Sequence, residues 1–252
     1  MTQFEAQPSP TPPTARITGD EAWAVAATEY GRMLQVIRAL GDEDWDHPTD
    51  CTAWDVRAML GHLVGAAEGW ANPRELLHQY RLGERLRRRS DFDGHLPVDG
   101  ANAIQVGERA AATPGDLVER YERAIPGALR WRRRLRRIPI SMQDDGGRFS
   151  MRELFEVILT RDTWMHRVDL ARATGRAMDL TPGHDGRVVA DCVADWVTKH
   201  GRPFVVVLDG PAGGRFEAGI GGPVIHADAV EFVRALSGRG ADVDILGTRV
   251  VF

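Results

Sequence analysis

The chain has 252 residues, of which 43% are apolar, enough to bury a substantial core and to form one large domain or two smaller ones. We expect two. Its formal net charge of −4 gives no general attraction for nucleic acid or an anionic membrane, and no run approaches the roughly 18 apolar residues of a membrane span. The two cysteines, Cys51 and Cys192, lie far apart without a CxxC pattern, which indicates neither a disulfide framework nor a thiolate zinc site and fits a reducing cytoplasm. We therefore expect partners that are neither nucleic acid nor membrane.

Two arginine-rich runs concentrate positive charge locally, at Arg85–Ser90 and Arg130–Arg137. Each run is compatible with a phosphate-binding patch or with a solvated helix face. The second interpretation is the more common one for such runs. We favour it for both.

The first half of the chain reads as a series of helices after a proline-rich stretch at residues 1–16, which is typical of a disordered tail. Apolar residues recur at helical spacing, and glycine, proline or asparagine mark the ends. The pattern SDFDGHLPVDG, with two glycines and a proline, predicts a loop at residues 90–100. The predicted helices cover residues 20–40, 55–71, 73–89, 102–112, 114–137 and 150–173.

The pattern changes after Pro182. A helix at residues 187–200 precedes the β-rich run PFVVVLDG, the weaker strand candidate GRFEAG and the segment PVIHA. A helix at 227–236 and closing strands in DVDILGTRVVF complete the chain. The fold class that we predict is α+β, with a helical bundle at residues 17–178 and a small α/β domain at 179–252.

The predicted helix at 150–173 carries titratable residues on its apolar face. Acid-x-x-x-His pairs occur three times in the chain, whereas a random order of the same residues gives roughly one, and a spacing that chance can supply is weak evidence by itself. Only Asp162 and His166 lie in an uninterrupted helical pattern, where residues four apart share a face. An unpaired buried carboxylate is costly, and a bound metal ion would remove that cost. In the other two pairs, Glu43/His47 and Asp91/His95, the first histidine is followed by Pro48 and the second lies between Gly94 and Pro97, so neither pair is expected on a regular helix.

His62 is the best candidate for a third metal ligand. It lies in the predicted helix at 55–71 among glycines and alanines, whose small size would leave a cavity around the imidazole. Zinc takes three or four protein ligands, and helical bundles build metal sites from inward side chains of facing helices. Two other interpretations stay open: a hydrogen-bonded core histidine, and an Asp162/His166 pair that forms a salt bridge with an arginine. Asp169 either orients an imidazole or pairs with Arg167 or Arg172.

Two motifs together resemble a known family. The stretch WDHPTDCTAWDVRAMLGHLVG at Trp45–Gly65 and the stretch TRDTWMHRVDLARATG at Thr160–Gly175 are similar to the mycothiol-dependent maleylpyruvate isomerases, a branch of the DinB-like four-helix-bundle metalloproteins. The resemblance covers nearly all of the chain from about residue 20. It implies an N-terminal DinB-like four-helix bundle and a small C-terminal α/β domain.

The resemblance also implies a site and a reaction. It makes His62, Asp162 and His166 the ligands of a divalent metal, usually zinc, with mycothiol as the thiol cofactor whose sulfur takes the open position. The thiolate would add to the cis double bond of a maleylpyruvate-like acid, and rotation and elimination would give the trans isomer. Where the family commonly has glutamate, this chain has Asp162, which is one methylene shorter, so that the helix must lie closer to the metal or a water must bridge.

Three further residues are candidates for binding roles. Arg239 resembles a recurrent arginine in the tail of the family and is the candidate for binding substrate carboxylates, with a structural salt bridge as the alternative. Trp54 and Asp55 are candidates for shaping the thiol site, with a core tryptophan and a helix-starting aspartate as the alternatives.

Three functions remain compatible with these residues. The first is a mycothiol-dependent isomerase. The second is an S-transferase or thiol-exchange enzyme that acts on an electrophilic metabolite or xenobiotic with the same metal and thiol. The third is a DinB-like protein that binds metal or thiol without catalysis. The expected partners are a small thiol and a small electrophilic or unsaturated acid, and the protein is expected to be a monomer or a homodimer.

Overall fold

A computed structural model describes residues 16–144, 146–239 and 247–252. Its elements confirm the α+β class, with helices through most of the chain and a small sheet near the C-terminus. The helices are α1 (Gly19–Arg38), α2 (Val56–Ala71), α3 (Pro73–Arg87), α4 (Pro97–Gly107), α5 (Pro114–Leu135), α6 (Met151–Glu153), α7 (Leu159–Thr174), α8 (Asp185–His200) and α9 (Ala229–Leu236). The strands are β1 (Ser141–Asp144), β2 (Gly147–Ser150), β3 (Phe204–Asp209), β4 (Gly214–Ala218) and β5 (Val224–Asp228).

The described chain divides into two compact units. The helical unit comprises residues 18–144 and 148–178, and the C-terminal unit is made mainly of residues from Asp179 onward. That each unit is an independently folding domain, with bounds at 17–178 and 179–252, stays a proposal. None of the helices in the described residues is long and apolar enough to cross a membrane.

An apolar core fills the centre of the helical unit. Helix α2 lies at its centre and packs against α5, α4, α3 and α7, while α1 packs against α5 and α7. Burial of these apolar stripes is the main force that holds the helices together. The buried core residues are Tyr30, Met33, Leu34, Ile37, Trp45, Val56, Met59, Leu60, Leu63, Val64, Ala67, Leu117, Tyr121, Ala124, Ala128 and Leu170.

Local capping explains where several helices begin. Asp55 accepts a hydrogen bond from the backbone nitrogen of Ala58 at 2.7 Å and so caps α2. Ser150 and Glu153 form a reciprocal capping box, as their sequence spacing predicts. These interactions satisfy backbone donors that have no partner within the helix.

The predicted start of α4 was wrong. The helix begins at Pro97, within the segment predicted as a loop, rather than near Asn102. Proline is well tolerated in the first helical turn because that turn needs no intrahelical N–H donor. The side chain of Asp99 also accepts a hydrogen bond from the backbone nitrogen of Leu96 at 2.8 Å, which caps this end.

The predicted helix at 150–173 is present but is not regular. A π-helical segment, Leu154–Ile158, separates α6 from α7. Such wider turns displace backbone carbonyls from their usual partners. The fully buried guanidinium of Arg132 donates to the carbonyl of Phe155 at 2.8 Å and to Oγ1 of Thr160 at 2.8 Å. Arg132 therefore supports the helix one turn before Asp162.

The C-terminal unit is built on a sheet with strand order β4-β3-β5. Strand β3 pairs antiparallel with β4 and parallel with β5, and α8 and α9 pack against this unit. Arg16, the last residue of the predicted tail, forms an ion pair with Asp195 at 3.0 Å, so it belongs to this unit. Residues 1–15 of the tail lie outside the described residues.

Two strand predictions need correction. The turn-rich segment at 143–149 contributes to a hairpin of β1 and β2 that was not predicted. Of the predicted closing strands, residues 242–246 lie outside the described residues, and the described residues 247–252 form no strand.

Candidate metal centre

The structure brings His62, Asp162 and His166 together. One ligand atom from each residue lies within 4.8 Å of the others, and the two imidazole centroids are 5.2 Å apart. Nε2 of His166 lies 3.3 Å from Oδ1 of Asp162. The three side chains come from α2 and α7, which pack against each other in the helical unit. The predicted ligand set is thus a compact cluster.

The cluster is buried on the histidine side and open on the aspartate side. The side chain of His166 is 5% exposed, whereas that of Asp162 is 30% exposed. His62 is also buried. A ligand would therefore approach the cluster from the side of the Asp162 carboxylate. The two buried imidazoles are shielded from water.

Helix α2 presents His62 to this cluster through an interaction that the sequence analysis missed. Nδ1 of His62 lies 2.8 Å from Oε1 of Gln105 on α4, which leaves Nε2 for another partner. A Cβ atom added to Gly65 would lie 2.6 Å from Cβ of Gln105. The Gln105 side chain fills the space at Gly65, one of the small residues of α2 that we expected to leave a cavity around the imidazole.

Asp169 orients the second imidazole. Its Oδ2 lies 3.1 Å from Nδ1 of His166, one turn along α7, and the Asp169 residue is fully buried. Arg167 and Arg172, its predicted alternative partners, pair with Glu29 at 2.7 Å and with Asp50 at 2.8 Å, respectively. The orienting interpretation of Asp169 is therefore the better supported one.

Cys51 lies on the same side of His166 as Asp169. Its Sγ is 3.6 Å from Oδ2 of Asp169, and Cys51, His166 and Asp169 form a second group of ligand atoms within 4.8 Å. Both groups share His166, but this one uses its Nδ1 face. Because Asp169 is fully buried and already holds that nitrogen, the group with His62 and Asp162 is the better candidate for a site with an open position.

Trp54 and Asp55 directly precede the first residue of α2. The indole of Trp54 stacks on the imidazole of His62, with centroids 4.8 Å apart and planes inclined at 29°, and lies 6.1 Å from that of His166. Asp55 caps α2, which is the structural role that we considered for it. The candidate roles of both residues in thiol binding remain predictions, although Trp54 does form a wall of the cluster.

The two histidines of the cluster differ in their charge state. Burial lowers the pKa of His62 to about 4, and the nearby charge of His166 adds to this effect. Burial also opposes the charge on His166, but the Asp162 carboxylate and hydrogen bonds to Asp162 and Asp169 raise the pKa of His166 well above 6.5. At neutral pH, His62 is therefore a neutral imidazole and His166 is an imidazolium.

The donor set fits a divalent metal. Two imidazoles and one carboxylate match the catalytic sites in which zinc keeps an open position for water or substrate. In both histidines the Nδ1 atom is engaged, by Gln105 or by Asp169, so each Nε2 is the atom left for a metal. Such outer partners are typical of histidines that bind metal ions.

Arg239 lies in the C-terminal unit, directly after α9. Its Nη1 donates to Oγ of Ser237 at 3.2 Å, and its backbone nitrogen donates to the carbonyl of Arg234 at 2.9 Å. These contacts hold the residue locally. A role in binding substrate remains a prediction.

The residues that sequence reasoning missed are Gln105, Gln79 and Arg132. Each is polar and buried, and each contacts a residue more than 20 positions away in sequence. The available signal was a polar residue on the buried face of a helix, as at Gln105, which lies one turn after the buried Ala101 on α4. That signal does not name the partner.

Comparisons with known proteins identify the family and the fold. The profile of a family described as the mycothiol maleylpyruvate isomerase N-terminal domain matches residues 26–171, more than half of the chain. A crystal structure of the mycothiol-dependent maleylpyruvate isomerase has a TM-score of 0.54 and 16% identity, and covers 88% of this chain and 90% of its own. A structure of a histidine-to-alanine mutant of the mycothiol-dependent maleylpyruvate isomerase has a TM-score of 0.55 and 15% identity, with coverages of 88% and 89%. At these identities the two structures show the fold, and no curated protein matches the chain.

Proposed function

Because the chain belongs to the mycothiol maleylpyruvate isomerase family, we propose that it is a mycothiol-dependent metalloenzyme that isomerises the cis double bond of a maleylpyruvate-like acid. The observation that carries this proposal is the cluster of His62, Asp162 and His166. Its donor atoms suit a divalent cation such as zinc, and the partly exposed Asp162 marks the side from which a thiol would approach. Family membership supports mycothiol as that thiol.

The protein side chains would hold the cation through Nε2 of each histidine and one oxygen of Asp162. When bound, the cation supplies a positive charge that lowers the pKa of a coordinating thiol. Two neutral imidazoles and one carboxylate leave a net charge of about +1 with a dication, which favours an anionic sulfur. Asp169 keeps the His166 ring in place and stabilises its Nδ1–H.

Two further residues are candidates for roles in thiol and substrate binding. Trp54 covers one face of His62 and excludes water there, so that the indole is a candidate for contact with the thiol. The carboxylates of an unsaturated acid need cationic partners, and we assign Arg239 to that role. The isomerisation needs no proton transfer to the carbon chain if the same thiol adds and leaves.

The direct test is turnover of maleylpyruvate with mycothiol by protein loaded with zinc, followed by absorbance. Asp162→Asn keeps the size of the side chain but removes its charge, and we expect it to lower kcat/KM by more than about 100-fold, since loss of even an outer partner of a metal site costs 10–100-fold. Asp162→Glu restores the residue common in the family and serves as the matched control. We expect it to retain turnover.

The competing reaction classes give different results in the same experiment. No turnover of maleylpyruvate, but metal-dependent consumption of mycothiol with an electrophile such as a chlorodinitrobenzene, would replace the isomerase with an S-transferase. Neither activity, with metal still bound at His62, would leave a protein that binds metal or thiol without catalysis. Turnover that is equal in the wild type and Asp162→Asn would contradict the assigned site.

A further inference from the structure

A buried chain of hydrogen bonds connects His62 to α3. Oε1 of Gln105 lies 2.8 Å from Nδ1 of His62, and Nε2 of the same amide donates to Oε1 of Gln79 at 2.9 Å. Nε2 of Gln79 in turn donates to the carbonyl of Gly65 at 2.8 Å and to Oε1 of Glu75 at 2.9 Å. Gln79 is fully buried and Gln105 nearly so, so each amide relies on these partners.

The acceptors that Gln79 contacts determine how both glutamine amides in this chain of hydrogen bonds are oriented. A backbone carbonyl and a carboxylate only accept hydrogen bonds, so the Gln79 amide must turn its NH₂ group toward Gly65 and Glu75. Its oxygen then faces Gln105 and requires the NH₂ group of that amide. The oxygen of Gln105 is left to face His62, where it requires a hydrogen on Nδ1.

Helix α2 is shaped to admit this chain. His62, Gly65 and Gly69 lie on one face of α2, at spacings of three and four residues. A Cβ atom added to Gly69 would lie 2.8 Å from Oε1 of Gln79, and one added to Gly65 would lie 2.6 Å from Cβ of Gln105. Two glycines thus provide the space for the two glutamines beside the histidine.

The outer end of the chain is anchored by charge. Nη2 of Arg109 lies 3.2 Å from the same oxygen of Glu75 that accepts from Gln79, and the Arg109 side chain is 2% exposed. A carboxylate oxygen that faces a guanidinium accepts hydrogen bonds from it, so Glu75 serves as an acceptor at this end. The acceptor character that orients Gln79 is therefore fixed.

We propose that Gln79 is a positioning residue for the candidate metal centre: through Gln105 it holds His62 with the hydrogen on Nδ1 and the lone pair on Nε2. This inference rests on the proposed function in one respect, namely that the lone pair on Nε2 of His62 binds a metal ion. Without the chain, the Gln105 amide can turn over and offer its NH₂ group to Nδ1. The hydrogen then moves to Nε2, where the carboxylate of Asp162 attracts it and where it blocks a metal.

The test reads the tautomer directly in metal-free protein. Long-range ¹⁵N–¹H NMR distinguishes Nδ1–H from Nε2–H imidazoles, and the signal of His62 is assigned by its loss in His62→Gln. Spectra are recorded at about pH 8, where an ordinary histidine is neutral. The variants are Gln79→Met, Gln105→Met and their double mutant, with the exposed Gln35→Met on α1 as the matched control.

We expect His62 to be in the Nδ1–H form in the wild type and in Gln35→Met. In Gln79→Met and in Gln105→Met we expect the Nε2–H form of His62 to appear. Zinc affinity, measured by competition with a chelator, should fall about 10–100-fold in Gln79→Met and in Gln105→Met, and the double mutant should be no weaker than Gln105→Met alone. A Gln79→Met protein that is less stable but keeps the Nδ1–H form of His62 would overturn the proposal. A wild-type protein that binds no zinc yet shows the predicted tautomers would contradict the metal centre and leave the chain of hydrogen bonds intact.

Discussion

Zinc binding to the metal-free protein should release about one proton per site at all pH values between about 5.5 and 7.0, because the two histidines begin in different charge states. Burial lowers the pKa of His62 to about 4, so this ligand has no proton to lose in that range. Although burial opposes it, the charge of Asp162 raises the pKa of His166 well above 6.5, so this ligand begins protonated.

The expected magnitude differs clearly from that of an unperturbed site. Two histidines with an ordinary pKa near 6.5 would together release about 1.8 protons at pH 5.5 and about 0.5 at pH 7.0. The structure predicts a flat profile near one instead. The apparent zinc affinity should accordingly rise about tenfold per pH unit throughout this range, since one proton leaves for each metal bound.

Isothermal titration calorimetry measures the released protons. At each pH the titration is repeated in buffers that differ in ionisation enthalpy, and the slope of observed enthalpy against buffer enthalpy gives the number of protons. Asp169→Asn removes one carboxylate from His166, which lowers the pKa of that histidine and should reduce the release at pH 7.0. A wild-type profile that falls with pH as for two ordinary histidines would refute the assigned charge states.

Two predictions concern the packing that positions the site. Arg132→Met leaves the carbonyl of Phe155 without its donor and should lower the free energy of unfolding by about 1–3 kcal/mol in urea titrations, whereas Arg130→Met, on the exposed face of the same helix, should change it little. Equal losses in the two variants would show that the π-helical segment does not depend on Arg132. Gly65→Ala places a Cβ atom 2.6 Å from that of Gln105 and should destabilise by about 1–3 kcal/mol in the same titrations. Gly31→Ala meets nothing within 4 Å and should instead stabilise α1 by roughly 0.5–1 kcal/mol, so a neutral Gly65→Ala would contradict the tight contact of α2 with α4.

Sequence reasoning succeeded where the signal is local. Spacing within one helix places Asp162, His166 and Asp169 on a common face, and the structure shows these side chains in contact. The capping box of Ser150 and Glu153 likewise fixes where the long helix begins. Each of these predictions depends on residues no more than seven positions apart.

Sequence reasoning failed where the structure depends on distant partners. Gln105 contacts His62 across 43 positions and Gln79 across 26, and nothing in the spacing of these residues indicates a contact. The loop predicted at 90–100 shortened α4 at its start, although Gln105 itself lay within the helix predicted at 102–112. The π-helical segment was also not predicted, since its stabilising donor, Arg132, comes from another helix.

The surroundings of His62 were predicted only in part. The small residues around it correctly marked an unusual part of α2, but we interpreted them as space for a ligand. The structure shows that Gly65 makes room for a side chain of the protein. A run of small residues signals close approach, and the approaching group is known only once the helices are in place.

The most direct measurement of the central claim is the metal content of protein purified without chelator, compared with that of His62→Ala and of His78→Ala, which changes an exposed histidine outside the cluster. We predict about one equivalent of a divalent metal in the wild type and in His78→Ala, and less than about a tenth of an equivalent in His62→Ala. Less than about a tenth in the wild type after exposure to zinc, or an unchanged content in His62→Ala, would contradict a metal centre formed by His62, Asp162 and His166.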